Sequence, residues 1–95
     1  MIKRIVKMTF REEEIDAFLR IFEEVKPKIC ALEGCHGLEL LQDVKNPGIL
    51  FTFSIWENET ALDAYRQSKL FLATWKRTKS LFSQRAEAWS VRVAG

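Results

Sequence analysis

The chain has one histidine, one tyrosine, two cysteines, two prolines and four glycines, and each scarcity narrows what it can be. With so few glycines there is no Gly-rich phosphate loop; with one imidazole there is no metal-ligand cluster and no Ser/His/Asp pattern. The two cysteines, Cys30 and Cys35, stand five residues apart, which fits neither a CxxC redox motif nor a disulfide framework. Packing is the expected role of both. No apolar run reaches the length of a membrane span, and Met1-Ile2-Lys3-Arg4 leads into a strand rather than a signal peptide. A cytoplasmic protein without a membrane partner is therefore expected. A net charge of +2 is too small to imply a nucleic-acid partner by itself.

What the chain does have is apolar and aromatic. At 95 residues, 47% hydrophobic and 29% charged, it makes one domain, residues 1–95, with a single core that a dimer would usefully enlarge. The charges are unevenly placed: Glu12, Glu13, Glu14, Asp16, Glu23 and Glu24 crowd one segment, while residues 66–85 carry six bases and no acid. That pattern reads as two solvated helix faces of opposite sign, or as a basic rim that attracts an anionic ligand.

Residues 2–10 alternate as a strand, with Val6, Met8 and Phe10 on one face and Ile5, Lys7 and Thr9 on the other. A helix should start in the acidic cluster at Glu12 and keep helical period through Ile15, Phe18, Leu19, Phe22, Val25, Ile29 and Leu32. Pro27 predicts a kink or break near Val25, and Gly34 a stop. Cys35 to Asp43 reads as a second strand, and Asp43 to Gly48 as a hairpin turn. Ile49 to Trp56 is then a third strand, with Phe51, Phe53 and Ile55 facing one way and Leu50, Thr52, Ser54 and Trp56 the other. Asn58 or Thr60 can cap a helix over 59–68. After a short break at 68–71, Phe71, Trp75, Thr78 and Phe82 recur at helical spacing, and residues 86–94 alternate as a last strand.

The order is β-α-β-β-α-β, the α+β ferredoxin-like plan with a four-stranded antiparallel sheet. Both helices on one face leave the other bare, and the large side chains outnumber what one face can bury. A second copy of the chain or a flat ligand should cover the rest.

The strand ending in Trp56, the Gly34-Cys35 step before Gly37-Leu38, and the spacing Ala61-Leu62-x-x-Tyr65-x-x-Ser68-x-x-Phe71 together resemble the antibiotic biosynthesis monooxygenase family. The resemblance covers nearly the whole chain and implies a homodimer of ferredoxin-like domains, a dimeric α+β barrel. It also implies a monooxygenase that uses no cofactor, holding an aromatic, quinol or polyketide-like molecule that itself reacts with O₂. The family's haem-degrading branch looks for an Asn in the first strand, a Trp at the place of Tyr65 and a His ten residues on. Here the first strand has no Asn, and Trp75 stands where the His would be. Indole cannot serve as an axial haem ligand. The quinol-oxidising branch often has a His where this chain has Tyr65, and a phenol of ordinary pKa near ~10 is a poor base at neutral pH.

The candidate catalytic residues are Tyr65, as a hydroxyl that orients a phenol or quinone oxygen, and His36, as a proton shuttle or haem ligand. For His36 an exposed loop position is the plainer reading, since no partner for the ring is visible. Met8, Phe10, Phe51, Phe53, Ser68, Phe71 and Trp75 are candidates for the ligand pocket, and simple helix-on-sheet packing would use the same residue types. Trp56 and Trp89 are expected in the core or at a dimer interface.

Two other classes compete. A non-catalytic dimeric small-molecule-binding protein would have the same fold. An RNA-recognition module shares the element order and would use Phe51-Thr52-Phe53 for stacking, but the segment from Gly48 lacks the basic-Gly-aromatic start of that motif.

Overall fold

Alternation of apolar and polar residues builds β1 (Ile2–Phe10), which forms the inner rung of the sheet in a computed structural model describing residues 1–95. A 3-10 turn over Glu12–Glu14 leads into α1 (Ile15–Cys30). Then follow β2 (Cys35–Gln42), β3 (Ile49–Trp56), α2 (Glu59–Arg66), α3 (Lys69–Lys79) and β4 (Phe82–Val91). The sheet order is β2-β3-β1-β4, with every neighbouring pair antiparallel. This is the ferredoxin-like α+β fold the element order predicts.

Period-two alternation sorts the sheet into two faces. Val6, Met8 and Phe10 of β1 pair with Thr52, Leu50 and Gly48 or their neighbours and look toward the helices, as do Ser54 and Trp56. Two apolar clusters form there. One gathers Ile2, Val25, Ile29, Leu38, Trp56 and Leu62; the other gathers Met8, Phe10, Phe18 and Leu50.

The expected break in α1 does not occur: the helix runs without interruption to Cys30. Pro27 lies one turn from the helix end and faces solvent, so only a hydrogen bond of the final turns is lost. Val25 and Ile29, buried on either side of it, anchor that turn to the sheet. The helix also stops two residues before Leu32, and Gly34 follows at φ 84°. Its left-handed backbone and its position against α2, where a Cβ would come within 2.5 Å of the Ala61 Cβ, both require glycine.

The second helical region divides as the sequence predicts, with Asn58 Oδ1 accepting from the Ala61 N–H at 2.9 Å to cap α2. Ser68 then caps α3, its Oγ accepting from the Phe71 N–H at 3.1 Å. The last strand departs from expectation. It begins at Phe82 rather than 86 and ends at Val91, so Phe82 belongs to β4 and not to a helix. Phe10 pairs with Phe82, and two register shifts separate that pair from the regular ladder at Lys7 and Glu87. Those irregularities break the alternation that would have revealed the strand's start.

Candidate functional site

Between the helices and the inner sheet face lies a cavity of about 310 Å³. Helix α2 packs on β3 and α3 on β4, and there β4 presents Ala86 and Ala88 to the helix side, small residues that leave space.

One wall is a ladder of aromatic rings. Tyr65 stacks on Trp56 with centroids 4.9 Å apart, meets Phe71 edge-on at 5.2 Å, and Phe71 stacks on Trp75 at 5.9 Å. Trp75 in turn meets Phe82 edge-on at 5.6 Å. Helical spacing makes this possible: Tyr65 sits near the end of α2, and Phe71 and Trp75 lie one turn apart on α3. Such offset and edge-on contacts fix ring planes as well as positions.

Polar groups in the lining are few. The Trp56 indole Nε1–H donates to Ser54 Oγ at 2.9 Å, and Thr78 Oγ1 donates to the Thr74 carbonyl at 2.8 Å, so these are occupied within the protein. Tyr65 is different. Burial, with the Cys35 thiol as a lesser cause, pushes its hydroxyl up to about 12, and no protein hydrogen bond contributes to that shift. It is also not a buried orphan. The hydroxyl is thus a protonated donor that keeps contact with open space. Arg4 and Arg66, with Thr52 and Thr74, make up the rest of the polar lining, which contains no imidazole and no carboxylate. No side chain there is a ready base at neutral pH.

The structure brings Met8, Tyr65, Phe71 and Trp75 together around this cavity, with Trp56 behind Tyr65. It does not bring the other candidates there. Phe10 is buried beside the cavity, stacked on Phe18 at 4.4 Å within the second apolar cluster. Ser68 caps α3 and its hydroxyl also donates to the Tyr65 carbonyl, outside the main lining. Phe51 and Phe53 alternate onto the opposite sheet face, because the inner face of β3 is taken by Leu50, Thr52, Ser54 and Trp56. His36 is the extra residue of an irregularity between the pairs Cys35–Trp56 and Gly37–Ile55, and it is exposed on edge strand β2. A haem iron would find no imidazole in this lining. Trp56 is fully buried, whereas Trp89 lies on the outer face and is 45% exposed.

Sequence reasoning missed Arg4, Arg66 and Thr74 as lining residues. The signal for Arg4 was available: it shares the parity of Val6, Met8 and Phe10, so it is a cation on a core-facing row. No three His, Cys, Asp or Glu side chains converge to hold a metal, and no helix is long and apolar enough to cross a membrane.

Solved structures share this architecture. A crystal structure described as an antibiotic biosynthesis monooxygenase superposes with a TM-score of 0.93 at 22% identity, covering 100% of both chains. A conserved protein from Methanosarcina mazei Go1 gives 0.92 at 22% identity, over 96% of this chain and 90% of its own. A Mycobacterium tuberculosis protein gives 0.90 at 18% identity, over 99% and 95%. At such identities the likeness establishes the fold alone. No curated protein matches the chain. The sequence model described as "Antibiotic biosynthesis monooxygenase" does match it, over residues 1–77, from the first residue of the chain through most of α3 and including Trp56, Tyr65, Phe71 and Trp75. On that match, the chain belongs to the antibiotic biosynthesis monooxygenase family.

Proposed function

We propose that the protein is a monooxygenase that binds an electron-rich aromatic, quinol or polyketide-like molecule in the cavity and lets it react directly with O₂. The observation that carries this reading is the ring ladder Trp56–Tyr65–Phe71–Trp75 beside a Tyr65 hydroxyl with no protein partner. A flat substrate finds apolar ring faces and one donor for its phenol or quinone oxygen. The electrons come from the substrate: a ring CH₂ flanked by phenolic rings becomes C=O with one oxygen atom, and its two hydrogens leave with the other as water. The protein positions, desolvates and orients. Tyr65 orients as a donor, since its raised pKa keeps the proton on it through the neutral range.

Tyr65→Phe keeps the ring and removes the hydroxyl. The substitution should weaken binding of a hydroxylated naphthoquinone, measured by calorimetry, by about 0.5–1.5 kcal/mol, the net value of one hydrogen bond. Unchanged affinity would return Tyr65 to a packing role.

The second part of the reading is a homodimer. The outer sheet face carries Ile5, Phe51, Phe53 and Ile55 in adjoining register, with Leu41 and Trp89 each 45% exposed. A patch of that chemistry on a chain of this size fits a second copy packed sheet to sheet, burying at least ~1,000 Å² in total. Light scattering at micromolar concentration should give the dimer mass, and Phe53→Glu should shift it toward monomer. A monomeric native protein would sink this assignment.

A further inference from the structure

Arg4 occupies an unusual place for a cation. It lies on the helix-facing row of an inner strand, between Ile2 and Val6, with Ser54 and Ser90 as its cross-strand neighbours. Its Nη1 donates to Ser90 Oγ at 2.9 Å, one bond for a group with five N–H donors. Arg66 ends α2 immediately after Tyr65, and both arginines line the cavity. Each of the ion pairs in the protein uses other cations: Lys7, Arg11, Arg77 and Arg92. No aspartate or glutamate lines the cavity. Burial, and after it the Arg66 charge, lower the Arg4 pKa, so the two guanidiniums sense each other. Two like charges beside an apolar cavity, with no anion between them, oppose folding rather than assist it. An arriving oxyanion reverses that sign.

We propose that Arg4 and Arg66 form a seat for an oxyanion substituent, a carboxylate or a phosphate, carried by the aromatic ligand of this cavity. The guanidinium fork matches the paired oxygens of either group. The inference rests on the cavity being the aromatic-ligand site and adds the charge its ligand bears. The serines beside Arg4 belong to the same seat: Ser90 holds the guanidinium in place, and Ser54 is held by the Trp56 indole. The ring thus meets the aromatic ladder while its anionic edge meets the arginines.

The test is calorimetric titration of the purified protein with three naphthalene probes: 2-naphthoate, 2-naphthyl phosphate and the neutral 2-naphthamide. At least one anion should bind about tenfold tighter than the amide or better, the scale of one added charge-assisted contact. Which anion is preferred separates a carboxylated ligand from a phosphorylated one. Arg66→Gln, at an exposed helix end where folding is not at stake, should bring the anion-to-amide ratio close to one, and Arg4→Gln should do the same. Equal binding of anions and amide to the native protein would overturn the arginine seat and leave the aromatic cavity standing. A preference that survives both substitutions would overturn it too. Failure of all three probes would remove the aromatic-site reading, and the seat with it.

Discussion

Trp56→Ala should lower the free energy of unfolding by about 3–5 kcal/mol, the range for truncating a large buried aromatic side chain. Trp56 has no exposed surface, and its ring sits among Ile2, Val25, Ile29, Leu38 and Leu62, which come from four different elements. Those neighbours are held by backbone pairing and helix packing and cannot all move inward to fill the space. The loss has a second component. Ser54 is buried with its hydroxyl engaged by the Trp56 indole, and alanine would leave that hydroxyl without its partner. For a 95-residue domain, whose total stability is of the order of 5–15 kcal/mol, the variant would stand near the edge of folding. Urea unfolding followed by far-ultraviolet circular dichroism reads the effect directly. A loss under ~1 kcal/mol would mean that Trp56 is not the keystone of the first cluster.

Alkaline pH should remove a further share of stability through one group. Tyr65 titrates at about 12 in the folded protein, against about 10 for an unperturbed phenol. A folded pKa raised above the unfolded one means that the native state holds the proton longer. The contribution is fully present below pH ~10 and is lost as pH rises toward ~12, because the unfolded chain ionises first. Two pH units correspond to roughly 2–3 kcal/mol. Lysines titrate in the same range, so the comparison that isolates Tyr65 is native protein against Tyr65→Phe. The difference in unfolding free energy between the two should stay constant up to pH ~10, and above it the native protein should lose stability relative to the variant. Parallel curves throughout would show that the Tyr65 hydroxyl is not held in a desolvated setting. The same shift bears on function, since a phenol this reluctant to ionise orients a substrate and does not deprotonate it.

How far the sequence disclosed this molecule depended on the period each segment keeps. In β1 and β3 side chains alternate between the two faces residue by residue, so Val6, Met8 and Phe10 on one strand, and Leu50, Thr52, Ser54 and Trp56 on the other, were each readable as one row from spacing alone. Asn58 likewise marked where α2 begins, whereas Ser68, expected in the ligand pocket, is the cap of α3. Legibility failed where a local rule met a tertiary override. Pro27 signalled a break, yet buried Val25 and Ile29 hold α1 in one piece. In β4 two register irregularities hid four residues of strand, and a helical spacing that included Phe82 filled the gap by coincidence. The site shows the same division. Tyr65, Phe71 and Trp75 announced themselves by spacing, whereas Phe51 and Phe53 were attractive by residue type and lie on the wrong side of the sheet for this cavity. Arg4 went unnoticed because charge drew attention away from its parity.

The central claim is that the cavity brings an aromatic substrate and O₂ to reaction without a bound helper. The most direct measurement is O₂ consumption by the purified, chelator-treated protein with a panel of quinols and polyketide-like phenols, followed by ¹⁸O₂ labelling of any product. The account predicts consumption that saturates with at least one substrate, persists in chelator, and leaves one labelled oxygen atom in the product and the other in water. Consumption no faster than in buffer across the whole panel would contradict it and leave a binding protein of the same fold.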